Sequence, residues 1–285
     1  MNATRTFRPH LLSHAPAELT RTRLHRLGEG IGKVVYASDH WVVKRERTSR
    51  EIIALILVWK LLRSVAGKRL LRQPSRWIRL LRVGVQAVML VVPRSLWFTT
   101  HVLEMWKLYR TRDWRGARLA TEHLEGTDLA PERVSFPPTR VEVGGWPGWL
   151  TVCEATERVE ETLYARIEKL ARAQRFDEVE LWLERFLALR PEGWRRGIFD
   201  VDAHLKNFGV CGERIVLLDS GGLTDRWTEI ENRLRMEERI DEPHTELGLG
   251  ELLQARPEIA QRFDERWKSL VNRASVRRFW PKKTA

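Results

Sequence analysis

The sequence predicts an α+β protein of two lobes, with an antiparallel sheet in the N-terminal lobe, a long basic helical insert within it, and a mainly helical C-terminal lobe. Three observations predict it. A glycine-punctuated strand–turn–strand pattern runs from Leu27 to Glu46. Helical periodicity dominates from Glu161 onward, interrupted by a short β-rich stretch that ends at Asp219. Between the two, residues 52–103 hold nine Lys or Arg and no acid, in a chain whose net charge is +12. The expected division is 1–156 for the N-terminal lobe, with the insert at about 52–125, and 157–285 for the C-terminal lobe. A hinge is expected at Glu154 to Thr156.

The elements follow in order. Val34-Val35-Tyr36 reads as a strand, Ser38-Asp39-His40 as a tight turn, and Trp41-Val42-Val43-Lys44 as the returning strand. A helix is expected from Ser49, a suitable N-cap, with Leu55, Val58 and Leu62 at helical spacing. Pro74 ends it, because proline has no N–H to donate and disfavours helical backbone in the preceding residue. A second insert helix fits Ser75 to Val92, and a third Ser95 to Tyr109. Val83 to Val92 is apolar for only ten residues, well short of the roughly 20 that span a bilayer. Alternation at Val134, Phe136, Val141 and Val143 predicts a strand, as does Trp149 to Cys153. Helices return from Glu161 to Leu189, with Pro191 expected to stop them. Gly197 to Leu218 then reads as loop, short strand, turn at Gly212, and strand.

Composition excludes several classes. A chain of 285 residues that is 43% hydrophobic can bury a core, so global disorder is excluded. Two cysteines, Cys153 and Cys211, are too few for a disulfide framework and lack zinc-site clustering. Met1 to Leu19 interrupts its apolar residues with Arg, His and Pro, unlike a secretory signal, so a cytosolic location is expected.

Three separated pieces carry chemistry. In Leu27 to Tyr36, Gly28, Gly30 and Gly32 let a hairpin backbone approach phosphate oxygens, although such a hairpin can equally be a plain turn. Lys44, flanked by Val42 and Val43, is expected to be half-buried and to need an anion. Glu51 is a candidate to orient it, with a surface role as the alternative and Glu46 and Glu104 as competitors. The third piece is Asp200-Val201-Asp202-Ala203-His204-Leu205-Lys206-Asn207, followed by an apolar run ending in Asp219-Ser220-Gly221. Phosphoryl transfer needs a carboxylate at the attacking hydroxyl and hard oxygen ligands for Mg²⁺. Asp202 offers the first, and Asn207 with Asp219 the second.

These pieces resemble the protein-kinase-like superfamily over roughly Leu27 to Leu223. Gly28, Gly30 and Val35 match the G-x-G-x-x-G-x-V loop, with Lys33 in place of the third glycine and Gly32 before it. Val42-Val43-Lys44 is similar to V-A-I-K, Asp202 and Asn207 have the D-x-x-x-x-N spacing, and Asp219-Ser220-Gly221 is similar to D-F-G with Ser for Phe. His204 resembles the H-G-D-x-H-x-x-N loop of aminoglycoside, choline and lipopolysaccharide kinases, while Asp200 departs from the residue usual there. The resemblance implies ATP and Mg²⁺ as cofactors. Gly28, Gly30, Gly32, Val35, Val42, Lys44, Glu51, Glu154 and Thr156 would lie around the nucleotide, Asn207 and Asp219 would hold the metal, and Asp202, Lys44 and His204 would act in catalysis. It implies transfer to a hydroxyl of a small molecule, sugar or lipid. A nucleotide-binding pseudokinase with a scaffold role at a membrane is the alternative.

The basic insert carries Trp59, Trp77 and Trp97 among its arginines. This composition suits an anionic membrane surface, placing the protein in the cytosol with access to the membrane's inner face. A helical cap with solvated arginines is the other reading, and nucleic-acid binding a weaker third, since no recognised motif accompanies the charge.

Overall fold

The computed structural model describes residues 10–29, 33–48, 51, 100–145 and 147–281. Over them the chain is a mixed α+β protein. In order it forms β1 (His10–Leu11), α1 (Ala17–Arg21), β2 (His25–Glu29), β3 (Lys33–Ala37), β4 (Trp41–Glu46), α2 (Thr100–His123), β5 (Arg133–Glu142), β6 (Trp149–Glu157) and β7 (Glu161–Thr162). Then come α3 (Leu163–Arg172), α4 (Phe176–Arg195), β8 (Phe199–Asp200), a 3₁₀ turn at Leu205–Asn207, β9 (Phe208–Cys211), β10 (Arg214–Leu217) and β11 (Leu223–Thr224). Helices α5 (Trp227–Glu237), α6 (Pro243–Glu246), α7 (Pro257–Leu270) and α8 (Arg273–Phe279) complete it.

The chain divides into two compact units, one of Met1–His14, Arg112–Pro137 and Thr156–Ala285, the other of Ala15–Thr111 and Pro138–Ala155. One crossing between them lies between Ala155 and Thr156. Arg112–Pro137, expected in the N-terminal lobe, instead groups with the C-terminal residues. The six-stranded sheet has the order β1-β5-β6-β4-β3-β2. Its β2–β3 and β3–β4 pairs are antiparallel, while β1 runs parallel to β5. Within β5, Val134 and Phe136 are buried, then the exposed Pro137-Pro138 pair shifts the alternation so that Val141 is buried next. Proline cannot donate to a ladder, which suits this pair to the point where the strand changes its buried face.

The core of the first unit lies around α4. Its stripe Val179, Trp182, Leu183, Phe186, Leu187, Arg190 and Trp194 recurs at helical spacing and is buried throughout. Phe186 meets Phe208 edge-on at 5.0 Å and stacks with Trp267 at 6.1 Å. Pro191 does not end the helix, contrary to the sequence expectation, because the stripe continues past it to Trp194 and burial there outweighs one lost N–H. Between α3 and α4 the chain turns through Gln174, at φ 57°.

Of the helix expected over Ser95–Tyr109, the described part, from Thr100, is helical and continues to His123. The two preceding insert helices and the Ser49 cap lie outside the described residues. Thr48 Oγ1 accepts from the Glu51 N–H at 3.3 Å, and the Thr48 N–H donates to Glu51 Oε2 at 2.8 Å. That reciprocal pair has the hydrogen-bonding pattern of a capping box.

Candidate active site

In the first unit, β8 and β11 pair so that Asp200 faces Leu223 in register. The Val201 N–H donates to the Gly222 carbonyl at 2.9 Å, which carries the chain from β8 into the loop holding Asp202. Gly222 is required there: a Cβ would overlap Asp200 Oδ1 and come within 2.9 Å of Asp202 Cβ. Asp200 Oδ1 accepts from the Asp202 N–H at 2.9 Å.

The loop then closes on itself. His204 caps the 3₁₀ turn, its Nδ1 accepting from the Lys206 N–H at 3.2 Å, and the Asn207 N–H donates to the His204 carbonyl at 2.8 Å. Asn207 Nδ2 donates to the Asp202 carbonyl at 2.7 Å. The Asn207 carbonyl in turn accepts from Leu218 at 2.8 Å and from Asp219 at 3.3 Å. Asp202, Asn207 and Asp219 are thus tied through one residue, Asn207, although the last lies twelve positions further along the chain. Asp219 Oδ1 accepts from the Gly221 N–H at 3.0 Å. The Asp202 and Asp219 carboxylates are exposed.

Asp200 itself is buried, and burial raises its carboxyl above the ordinary carboxylate range. Arg190 opposes that rise, while the charges of Asp202 and Asp219 add to it. Burial lowers the His204 imidazole, helped by Lys206 and opposed by Asp202, which favours the neutral ring at pH 7. With Nδ1 as acceptor, its proton sits on Nε2.

Beside Asp202 lies a polar cavity of about 120 Å³, lined by Asp202, His204, Arg233, Glu237, Glu246 and Trp267 among others. Glu237 is buried, accepts from Trp267 Nε1 at 3.1 Å and pairs with Arg233 at 2.5 Å, so the Arg233 charge is balanced within the wall. Asn207 Oδ1 and the Asp219 carboxylate are hard oxygen donors of the kind Mg²⁺ takes. Among the described residues no group of three His, Cys, Asp or Glu could hold a metal. Two side chains still fit Mg²⁺, which usually keeps several waters and binds through one or two protein ligands plus substrate phosphates.

The metal-loop candidate also has a neighbour that sequence reading missed. Helix α2 meets Ser220 at Gly116, where a Cβ would overlap the Ser220 carbonyl and come 2.7 Å from its carbon. Arg115, next to it, donates to Glu229 Oε1 at 2.8 Å and to Thr224 at 3.3 Å. A glycine in mid-helix with no turn to make was the available signal.

In the second unit, the β3–β4 register pairs Val35 with Lys44 and Ala37 with Val42. Strand alternation therefore puts Val35, Val42 and Lys44 on one face, and Val34, Tyr36, Val43 and Arg45 on the other. Lys44 is exposed, not half-buried as its valine neighbours led one to expect: Val42, two residues earlier on the same face, is buried, but that cover does not reach Lys44. Glu51 has a different cation from the expected one: Arg45 donates to both its carboxylate oxygens, at 3.0 and 2.8 Å. That hydrogen bonding is the main reason the Glu51 carboxyl is lowered to about 2. Gly28 pairs with Val35, and a Cβ on it would meet nothing within 4 Å, so packing does not demand glycine there. Gly30 and Gly32 lie outside the described residues. Glu154 and Thr156 lie in β6, Glu154 exposed and Thr156 partly buried.

No helix among the described residues is long and apolar enough to cross a membrane. In comparisons with known proteins, no family model matches the chain and no curated protein matches it.

Proposed function

We propose that this chain is an ATP- and Mg²⁺-dependent phosphotransferase of protein-kinase-like, bilobal architecture, acting on a hydroxyl of a small molecule, sugar or lipid. The observation that carries the reading is the Asn207 junction, which joins the candidate base to the candidate metal ligand through its own side chain and carbonyl. Asn207 spends its amide nitrogen on Asp202 and keeps Oδ1 as an acceptor.

In this reading Asp202 orients the acceptor hydroxyl and accepts its proton. The freed oxygen forms a bond to the γ-phosphorus, and the bond to the β–γ bridging oxygen breaks, leaving its electron pair on ADP. Bound through Asn207 and Asp219, Mg²⁺ would supply neutralisation of phosphate charge. Lys44 contributes a cation for the nucleotide phosphates from the strand face it shares with Val35 and Val42. His204 keeps the turn that presents Asn207, a supporting role and not a proton-transfer one. The cavity beside Asp202 offers polar walls to the acceptor.

The test is an ATP-consumption screen with Mg²⁺ against sugars, lipid head groups, amino alcohols and nucleosides. Acceptor-dependent ADP release is expected for at least one class. Mg²⁺-dependent nucleotide binding without turnover on any acceptor would favour the pseudokinase reading.

A further inference from the structure

Arg190 and Asp200 form an ion pair in which both partners are buried. Their side chains are 5% and 6% exposed. Arg190 projects from the apolar stripe of α4, with its guanidinium 5.7 Å from the ring centres of both Phe199 and Trp267. Its Nη2 donates to the Asp200 carbonyl at 2.9 Å, and its Nη1 lies 3.6 Å from Asp200 Oδ2. Neither Arg190 Nε nor Asp200 Oδ2 makes a hydrogen bond.

As a stabilising device this pair is poor. Two charges removed from water are repaid only when their remaining polar atoms are satisfied, and replacing such a pair with apolar side chains of similar volume is often neutral or favourable. What the pair does achieve is specific: Arg190 holds the Asp200 backbone, and Asp200 Oδ1 holds the Asp202 amide. Gly222 packs against the same two aspartates so closely that no side chain fits. The cavity that Asp202 lines is closed on another side by Trp267, whose ring faces Arg190.

We infer that Arg190 and Asp200 are positioning residues, a buried clamp whose work is to fix the Asp202 backbone and so aim its carboxylate. This inference rests on the proposed phosphotransfer role of Asp202. Neither residue touches substrate in this account. A misplacement of about 1 Å at a reacting group can cost around 10²-fold in rate, which sets the expected scale.

The experiment compares wild type with the double variant Arg190→Met/Asp200→Leu, which leaves no orphaned charge, and with Asp200→Asn, which keeps an acceptor oxygen for the Asp202 amide. Amide exchange is measured over residues 199–208, alongside Mg·ATP turnover to ADP and the KM for ATP. The double variant is expected to exchange at least tenfold faster in that segment and to lose about 10²-fold in kcat with KM for ATP within about twofold. Asp200→Asn is expected to fall between the two in both exchange and kcat. Wild-type exchange in the double variant, or in Asp200→Asn a loss as large as in the double variant, would overturn the clamp. Should the double variant not fold, Asp200→Asn decides alone: unchanged exchange and unchanged kcat refute it. The exchange arm needs no catalysis, so a failure of the phosphotransfer reading shows as absent turnover in wild type, separately from a failure of the clamp.

Discussion

At the scale of single residues, the neighbours that matter are set by strand alternation and by which carboxylates find cations. Glu51 illustrates this. Hydrogen bonds from Arg45 and Thr48 hold its carboxyl at about 2, below its ordinary range. A depressed folded value means that the contribution to stability is fully present above the unfolded carboxylate range and is lost as pH falls from about 4.5 towards about 2. Melting curves taken down through that window should therefore show a steeper acid limb for wild type than for Glu51→Gln. Superimposable limbs would show that these hydrogen bonds do not contribute there. Lys44 and Glu51 stand out in the sequence, yet their surroundings do not, for one reason. A Val-Val-Lys run cannot tell which face carries the lysine, and only the partner strand's register assigns Lys44 to the Val35 face and Arg45 to the Glu51 side. Asp202, Asn207 and Asp219 stand out in the sequence because their order and spacing follow from a loop and the β9–β10 hairpin that returns the chain from Asn207 to Asp219. Arg190 does not, although its place among Val179, Leu183, Phe186, Leu187 and Trp194 marks a cation on a buried stripe.

Among elements, α2 has the most specific demand. Its Gly116 lets the helix backbone rest on the Ser220 carbonyl, next to Asp219. Adding a methyl group forces backbone to move, and overpacking of this kind typically costs about 1–3 kcal/mol. Gly116→Ala should lower the melting temperature by several degrees, at about 2–4 °C per kcal/mol for a chain approaching this size. It should also reduce the Mg²⁺-dependent part of the shift given by ATP. Arg118→Ala, on the exposed side of the same helix, removes only an i,i+4 pair with Glu122 and should change melting by less than about 1 kcal/mol. Equal effects of the two substitutions would contradict the close contact. The sequence located the C-terminal half of this helix poorly, because residues 110–123 mix arginines, acids and small residues with little periodic signal. It located β9 and β10 well, since Gly212 at φ 58° marks the turn between two apolar runs. Pro191 misled for an energetic reason, in that local propensity yielded to the burial of Trp194.

For the whole molecule, two units and an uneven charge frame the account. Nine basic residues without an acid in 52–103 concentrate most of the +12 net charge in one stretch of sequence. If Arg69, Arg72, Arg76 and Arg79 meet anionic lipid, each contributes about 1 kcal/mol at low salt, so the protein should sediment with acidic vesicles far more than with neutral ones. Salt should release it, and changing all four to Gln should abolish sedimentation while leaving the fold intact; equal binding by both proteins would favour a solvated helical cap. The α+β class is visible in composition and pattern, whereas the grouping of Arg112–Pro137 with the C-terminal residues depends on long-range packing that periodicity does not encode. The central claim is that Asp202 is a base and not a nucleotide ligand. Side-by-side measurement of Mg·ATP binding and turnover in wild type and Asp202→Asn tests it most directly. The account predicts nucleotide binding within about twofold and turnover reduced by about 10²- to 10⁴-fold. Wild-type turnover in Asp202→Asn, or no Mg²⁺-dependent nucleotide binding by either protein, would contradict it.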